Sequence, residues 1–90
     1  MKYRKRLPIV EAFRWEGRVD RAPEWFRKVY DMGDAAPTLH GECIVTTRGG
    51  RMAAYLGDWI IQGEEGDLRT CDGETFERLY DPIVDEEEPR

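Results

Sequence analysis

Glycine-containing turns on both sides of one short apolar run constrain the fold of this chain more than any other feature. The run Trp59–Gln62 consists largely of residues that favour β-strands, with Gly57-Asp58 before it and Gly63–Gly66 after it. Because glycine adopts positive φ angles without a Cβ clash, both flanks predict chain reversals. The segment therefore predicts a short, buried strand between two turns, with Trp59 in the core.

Short strands of the same kind recur along the chain, separated by glycine or proline. Gly49-Gly50 predicts a hairpin with a tight primed turn, and Asp34–Pro37 is predicted to be a loop. The strands between residues 42 and 71 are expected to form a four-stranded meander. The predicted strands besides Trp59–Gln62 are Leu7–Trp15, Glu42–Thr47, Arg51–Leu56, Asp67–Cys71 and a last strand at Ile83-Val84 beside the first.

Two segments carry helical signals. A main helix at about 20–32 is predicted from Asp20 as its N-cap and Gly33 as its stop. Asp72 is predicted to cap a short helix near 74–80. The fold class that follows is α+β: a small, strongly bent antiparallel β-sheet, either open or barrel-like, with one main helix and one short helix.

Length and charge define one domain and a tail. Ninety residues make a single domain, assigned to residues 1–84, and the acidic residues 85–90 are predicted to be a disordered tail. The net charge is −5, but it is +5 over residues 1–30 and −10 over residues 31–90. Either the two halves attract each other and leave solvated faces, or they create a dipolar surface that steers a charged partner.

The composition argues against several classes of function. Cys43 and Cys71 are too few for a disulfide framework, and with His40 they fall short of the four ligands of a structural zinc site. No metal or cofactor is therefore predicted. No apolar run could span a membrane or form a signal-peptide core, so we expect a protein of the host cell cytoplasm with thiol cysteines. Residues 2–6 are basic without a basic remainder, so nucleic acid is not the expected partner.

Catalytic groups are sparse, and the individual candidates have structural explanations. Asp58 is expected to accept backbone N–H bonds within its turn. Glu11, inside an apolar strand, is expected to be a buried carboxylate that needs an arginine partner. The candidate partners are Arg14, Arg51 and Arg69. His40 is the only imidazole, and neither a nucleophile turn nor a phosphate-binding loop accompanies it, so the sequence predicts no enzyme.

Three segments in combination resemble a known family. They are the start KYRKRLPIVEAFRW at 2–15, the segment GDWIIQGEEG at 57–66, and a C-x-x-x-x-F-x-x-x-Y end formed by Cys71, Phe76 and Tyr80. Together they resemble the small phage and prophage proteins of the PGDYG type. Leu56 departs from the alanine or proline that often precedes the Gly-Asp pair in that family. The resemblance implies a phage origin and a small-domain architecture, and it supplies no activity.

Two functional classes remain open. The favoured hypothesis is a non-catalytic binding protein that acts on a host or defence protein, as an inhibitor whose acidic surface imitates nucleic-acid phosphates. The alternative is an oligomer that sequesters a nucleotide-like small ligand in pockets between protomers, with arginines on the phosphates. The candidate interaction surface comprises the acidic residues Glu64, Glu65 and Asp67 and the arginines Arg48, Arg51 and Arg69.

Overall fold

Over the part of the chain that the structure describes, residues 1–3 and 9–83 of a computed structural model, short strands alternate with two α-helices. The predicted α+β class is confirmed, with a main helix, a short helix and antiparallel strands. The elements are β1 (Glu11–Arg14), a 3₁₀ turn (Val19–Arg21), α1 (Glu24–Asp31), β2 (Ala35–Pro37), β3 (Cys43–Thr47), β4 (Gly50–Ala54), β5 (Trp59–Gln62), β6 (Leu68–Cys71) and α2 (Gly73–Leu79).

Across the described ranges the strands form two three-stranded antiparallel sheets, and neither is a closed barrel. Sheet A has the order β1-β5-β6, with Arg14 opposite Trp59 and Trp59 opposite Cys71. Sheet B has the order β2-β3-β4, with Ala35 opposite Val45. Both predicted hairpins are present, but they lie in different sheets instead of one meander, because β5 pairs with β1 and not with β4.

One apolar core joins both sheets to α1. Trp15 and Phe26 are fully buried in it, and Trp25 meets Phe13 and Phe26 edge to face, with ring centroids 5.6 Å and 6.0 Å apart. The indole N–H of Trp15 donates to the carbonyl of Gly41 at 2.8 Å. Such aromatic pairs contribute about 0.5–1.5 kcal/mol each beyond the area they bury, so the cluster holds α1 against the sheets. The other buried members are Ala22, Ala35, Cys43, Val45, Ala54, Ile60 and Leu68.

The β3–β4 hairpin reverses through Arg48 and Gly49, so that Thr47 pairs with Gly50. Gly50 has a φ angle of 116°, whereas neither Arg48 nor Gly49 has a positive φ. Because a primed turn needs positive φ within the loop, the predicted primed turn is not formed. Thr47 stabilises the observed turn: its hydroxyl accepts from the N–H of Gly49 at 3.2 Å and donates to the carbonyl of Gly50 at 2.6 Å.

The main helix begins later than predicted, at Glu24. Pro23 is extended, with φ −67° and ψ 163°, and the preceding Ala22 has ψ 157°. A proline ring disfavours the helical conformation in the residue before it, so the chain leaves the 3₁₀ turn before α1 starts. Asp20 is therefore not the helix cap; its carboxylate accepts two hydrogen bonds from Arg18.

After α1 the chain passes directly into an edge strand. Gly33 ends the helix as predicted, with a φ angle of 89°. The segment Asp34–Pro37, predicted as a loop, contains β2, because Ala35 fills a buried position opposite Val45. Pro37 is compatible with this strand because an edge strand needs no donor on its outer side.

The first strand is shorter than predicted, since β1 covers only the later part of Leu7–Trp15. Residues 4–8 lie outside the described residues. Glu11 is exposed, and it forms no ion pair with a described arginine. The expectation of a buried Glu11 carboxylate is wrong, because β1 is an edge strand and this position faces solvent.

The short helix near 74–80 is present as α2. The carboxylate of Asp72 accepts from the N–H of Thr75 at 3.3 Å, which confirms the predicted N-cap. Ile83 is exposed and belongs to no strand. Val84 and the predicted tail 85–90 lie outside the described residues, so the domain boundary after residue 84 stays a prediction.

Trp59 does not lie in the core. Alternation along β5 directs Ile60 towards the core and Trp59 towards the outer face of sheet A. There Trp59 is partly exposed and stacks on Phe76 of α2, with ring centroids 4.0 Å apart and planes 3° apart. The run Trp-Ile-Ile is apolar on both faces, so the sequence pattern could not show which side faces the core.

Candidate functional site

Two hairpin tips meet at one end of the domain. Arg48 lies in the β3–β4 turn, Glu64 and Glu65 lie in the β5–β6 turn, and Asp67 and Arg69 follow that turn. All five line one shallow depression of about 350 Å³. We call the surface formed by these five residues the hairpin ridge. The structure therefore brings together five of the six candidate residues predicted from the sequence.

Arg51 is the one candidate residue that does not belong to the hairpin ridge. It lies on β4 opposite Thr46, it is exposed, and it lines neither of the depressions beside the hairpin ridge. Alternation along β4 explains this position: Ala54 points into the core, so Arg51, an odd number of residues away, points to the outer face of sheet B. The sequence could not separate Arg51 from Arg48 because both flank the same turn.

An ion pair connects the two hairpin tips. The guanidinium Nη2 of Arg48 donates to the carboxylate Oε1 of Glu65 at 2.5 Å, across 17 positions of sequence. This hydrogen bond, and the neighbouring Asp67 carboxylate, raise the pKa of Arg48 above its ordinary value. The side chains are 70% and 76% exposed, so the pair contributes little to stability. The pair shows that the two tips lie within hydrogen-bonding distance of each other.

The β5–β6 turn has its own backbone hydrogen bonds. The N–H of Gly63 donates to the carbonyl of Asp67 at 2.9 Å, and the N–H of Gly66 donates to the carbonyl of Gly63 at 3.0 Å. A Cβ at Gly63 would lie 2.6 Å from the carboxylate Oδ1 of Asp67. The missing side chain at Gly63 therefore lets the Asp67 carboxylate fold against the turn.

A second depression, of about 430 Å³, lies between the hairpin ridge and the C-terminal end of α1. Its apolar side chains include Val29, Met32 and Leu68, and its charged side chains carry three carboxylates against one guanidinium. We call it the acid-rimmed cleft, and the charged residues that line it are Asp34, Glu65, Asp67 and Arg48. Because Glu65 already pairs with the single guanidinium, the cleft has an excess of negative charge.

Sequence reasoning missed the contribution of α1 to this cleft. Val29 lies in α1, and Met32 and Asp34 follow directly after it. The strands β2 and β3 separate them from the first hairpin tip. In the sequence, Val29 and Met32 look like parts of an apolar helix face, and Asp34 looks like part of the turn after Gly33. None of them therefore stands out as a site residue. Only the pairing of Thr46 with Asp34, whose carbonyl accepts from the N–H of Thr46 at 2.9 Å, brings the helix end beside the hairpin.

Asp58 and His40, two of the residues considered as catalytic candidates, take part in hydrogen bonds within turns. The carboxylate of Asp58 accepts from the N–H of Tyr55 at 2.9 Å, which confirms the predicted turn bond. His40 is exposed, and its backbone N–H donates to the hydroxyl of Thr38 at 3.2 Å. That hydroxyl in turn donates to the Glu42 carboxylate at 3.0 Å. These bonds stabilise turns at the end of the domain away from the hairpin ridge.

The described ranges, 1–3 and 9–83, contain neither a grouped set of metal ligands nor a helix that could span a membrane. No three His, Cys, Asp or Glu side chains in these ranges are grouped so that they could hold a metal ion. None of the helices in the same ranges is long and apolar enough to cross a membrane.

Both cysteines are free thiols in different environments. Cys43 is buried in the core, and burial raises its pKa to about 11. Cys71 is partly exposed at the end of β6, and its pKa is raised by desolvation and by the carboxylates of Asp72 and Asp58. Neither thiol has the lowered pKa of a reactive cysteine.

Alkylation should separate the two thiols. We expect iodoacetamide at pH 8 to modify Cys71 roughly tenfold or more faster than Cys43 in the native protein, because the thiolate is the reacting form and Cys43 must first be exposed. Peptide mass spectrometry over a time course measures both rates, and the urea-unfolded protein serves as the control in which they converge. Equal rates in the native protein would contradict the burial of Cys43.

Comparisons with known proteins identify no relative of this chain. No protein-family model matches the chain, and neither a curated protein nor a solved structure does so. The resemblance to the PGDYG-type phage proteins therefore stays a prediction.

Proposed function

We propose that this is a non-catalytic binding protein that engages a basic surface of a partner protein through the acid-rimmed cleft and the hairpin ridge. In this proposal the partner is a host or defence protein that itself binds nucleic acid. The protein acts as an inhibitor because its carboxylates occupy positions that nucleic-acid phosphates would otherwise take. Its site of action is the host cytoplasm.

The chemistry of the acid-rimmed cleft is the observation that carries the proposal. Val29, Met32 and Leu68 offer apolar contacts for the aliphatic stem of a lysine or arginine side chain. Asp34 and Asp67 lie on the same cleft and can receive the cationic head. Long basic side chains bind well to such surfaces because their stems and their charged heads need different environments.

The backbone hydrogen bonds of the hairpin ridge support the same function. The Arg48–Glu65 pair connects the two tips, and backbone bonds at Gly63 and Gly66 fix the β5–β6 turn. A surface that is already ordered before binding pays a smaller entropy cost when the partner docks. The backbone of the β5–β6 turn is therefore ordered before a partner docks.

The phage origin is supported by the three sequence segments that resemble PGDYG-type proteins. Two of them coincide with structural features: the Gly57-Asp58 turn opens β5, and Phe76 and Tyr80 form the stack on α2. The family-like residues thus stabilise the fold, while the residues of the acid-rimmed cleft lie mostly outside those segments. This separation is typical of a scaffold that carries a binding surface of its own.

The small-ligand alternative has less support. Arg48 and Arg69 do line one depression, as that hypothesis requires. However, Arg48 is already paired with Glu65, and Arg51 lies away from both depressions. A phosphate would also meet Glu64 and Asp67 on the same surface.

Capture from host lysate with charge-matched variants tests the proposal. We expect the wild-type protein to retain a partner that Asp34→Lys/Asp67→Lys loses, because the two substitutions reverse the rim of the acid-rimmed cleft. Glu74→Lys/Glu77→Lys changes the net charge equally on α2 and should retain the partner. Quantitative mass spectrometry compares the three samples, after circular dichroism shows that each is folded. A partner lost equally from both variants, or from neither, would reject the cleft as the binding surface.

A further inference from the structure

The short helix α2 lies outside the core that joins both sheets to α1. The core cluster includes no residue of α2, and no side chain of this helix is buried. Phe76 of α2 instead meets Trp59 on the outer face of sheet A. Separation of α2 from the sheet would therefore leave the contacts of the core cluster in place.

Stacked aromatic rings attach α2 to sheet A. The rings of Trp59 and Phe76 are parallel, with centroids 4.0 Å apart and planes 3° apart. Phe76 stacks in turn on Tyr80, at 4.8 Å and 19°. Because Phe76 and Tyr80 are four positions apart, they lie on one face of the helix. The helix thus docks on the strand through one row of rings, which is an apolar contact.

The hydrogen bonds of α2 are local in the described part of the chain. The carboxylate of Asp72 accepts from the N–H of Thr75 at 3.3 Å, and its carbonyl accepts from the N–H of Phe76 at 2.9 Å. No hydrogen bond or ion pair joins residues 73–83 to a described residue before Asp72. Because no polar bond to the sheet has to break, α2 can leave the sheet as an intact, capped helix.

Gly73 connects the helix to the end of β6. Asp72 is extended, with φ −70° and ψ 159°, and the helix begins at Gly73. The φ angle of Gly73 is not positive, and a Cβ there would lie at ordinary contact distances, 3.5 Å from the carbonyl oxygen of Gly57 and 4.0 Å from Nε1 of Trp59. The docked position of α2 therefore does not require glycine. A glycine does make it easier for the chain to turn here, because its φ and ψ angles are the least restricted of any residue.

We propose that α2 is a strap that detaches from sheet A as one unit while the core stays folded. Detachment separates the rings of Trp59 and Phe76, and the chain turns at Gly73. In the closed state the strap covers one face of the Trp59 ring, and in the open state that face meets solvent. This device goes beyond the hairpin ridge and the acid-rimmed cleft, and it does not depend on either of them.

The strap changes the chemistry of the outer face of sheet A. Glu74, Glu77 and Arg78 of α2 are exposed, so the closed state presents charged side chains to solvent. Opening replaces them with the aromatic ring of Trp59. An element attached through a few ring contacts opens at a lower free-energy cost than the whole protein unfolds, and such minor states typically hold roughly 0.1–10% of the molecules. The device therefore switches this face between a charged and an aromatic surface.

Native-state hydrogen exchange in the intact protein tests the strap. We expect the amides of residues 77–80 to share one opening free energy, with protection at least about tenfold lower than that of Ile60 and Ile61 in β5. Their exchange should respond weakly to urea, because the opening exposes much less surface than global unfolding does. Protection that falls progressively towards Tyr80 would show fraying of the helix end, and protection equal to that of β5 with the same urea dependence would show global unfolding. Either result overturns the strap.

Three substitutions identify the contact that closes the strap. Phe76→Ala should remove nearly all protection from α2, while Ile60 in β5 stays protected at least about a hundredfold and the indole proton resonance of Trp15 stays in place. Leu79→Ala is the matched control, because Leu79 is 64% exposed on the same helix, and it should change the opening little. Gly73→Ala stiffens the hinge and should raise the protection of α2 roughly 2–5-fold.

Each outcome of these variants supports or overturns one part of the device. Loss of protection in β5 together with α2 in Phe76→Ala, or equal effects of Phe76→Ala and Leu79→Ala, overturns the strap. An α2 that gains no protection in Gly73→Ala overturns the hinge at that residue. Asp34→Lys/Asp67→Lys should leave the exchange of α2 unchanged, so failure here is distinct from failure of the proposed function.

Discussion

Replacing Trp15 with alanine is expected to lower the free energy of unfolding by about 3–5 kcal/mol, the usual cost of removing a large buried aromatic side chain. Trp15 is completely buried, and its ring lies 6.0 Å from that of Phe26 and 6.4 Å from that of Phe13. Its indole N–H also donates a hydrogen bond to the Gly41 carbonyl. Urea unfolding monitored by circular dichroism measures the change.

Two further variants identify the source of this loss. Trp15→Phe keeps an aromatic ring but leaves the Gly41 carbonyl without its donor, so we expect a smaller loss of about 1–3 kcal/mol. Trp59→Ala removes a partly exposed ring from the outer face and should cost less than Trp15→Ala. If Trp15→Ala costs under about 1 kcal/mol, or less than Trp59→Ala, the core described here is wrong.

Features decided by neighbouring residues could be predicted from the sequence. β5 begins and ends at the predicted residues, Trp59 and Gln62. The turn bond to Asp58 and the N-cap at Asp72 are both present. Each depends on a few consecutive residues: a glycine that permits the reversal, and a short carboxylate side chain that reaches the nearby N–H groups.

Features decided by distant pairing could not be predicted. A run such as Trp-Ile-Ile fits both faces of a sheet, so only the stack of Phe76 on Trp59 shows that this ring lies outside the core. The division into two sheets likewise follows from the pairing of β1 with β5, which are separated by α1 and sheet B. The short strand β2 is stabilised by burial of Ala35 against β3, although its own residues have little strand propensity.

The candidate site was only partly predictable for the same reason. The sequence named Arg48, Glu65 and Asp67 as candidates without showing that they are neighbours, and the structure places them along one depression. The apolar side of the acid-rimmed cleft, with Val29 from α1, depends on the docking of a helix from earlier in the chain. No local pattern marks such a helix face as part of a surface site.

Charge reversal on the hairpin ridge is expected to slow association with the captured partner by about tenfold or more, because complementary fields act mainly on the association rate. The variant Glu64→Lys/Glu65→Lys places positive charge at the exposed tip of the β5–β6 turn, facing a basic partner. Stopped-flow or surface plasmon resonance measurements give the rate constant. The matched control is Glu74→Lys/Glu77→Lys on α2, which changes the net charge by the same amount.

Salt dependence distinguishes steering from a loss of contacts. The screening length falls from about 30 Å at 10 mM salt to about 8 Å at 150 mM. The wild-type association rate should therefore fall steeply over this range, and the Glu64→Lys/Glu65→Lys variant should lose that dependence. Glu64 makes no ion pair with a described residue, whereas Glu65 pairs with Arg48. Substituting Glu64 alone should therefore change the dissociation rate less than substituting Glu65 alone. An association rate that is independent of salt in the wild type would rule out electrostatic steering by the hairpin ridge.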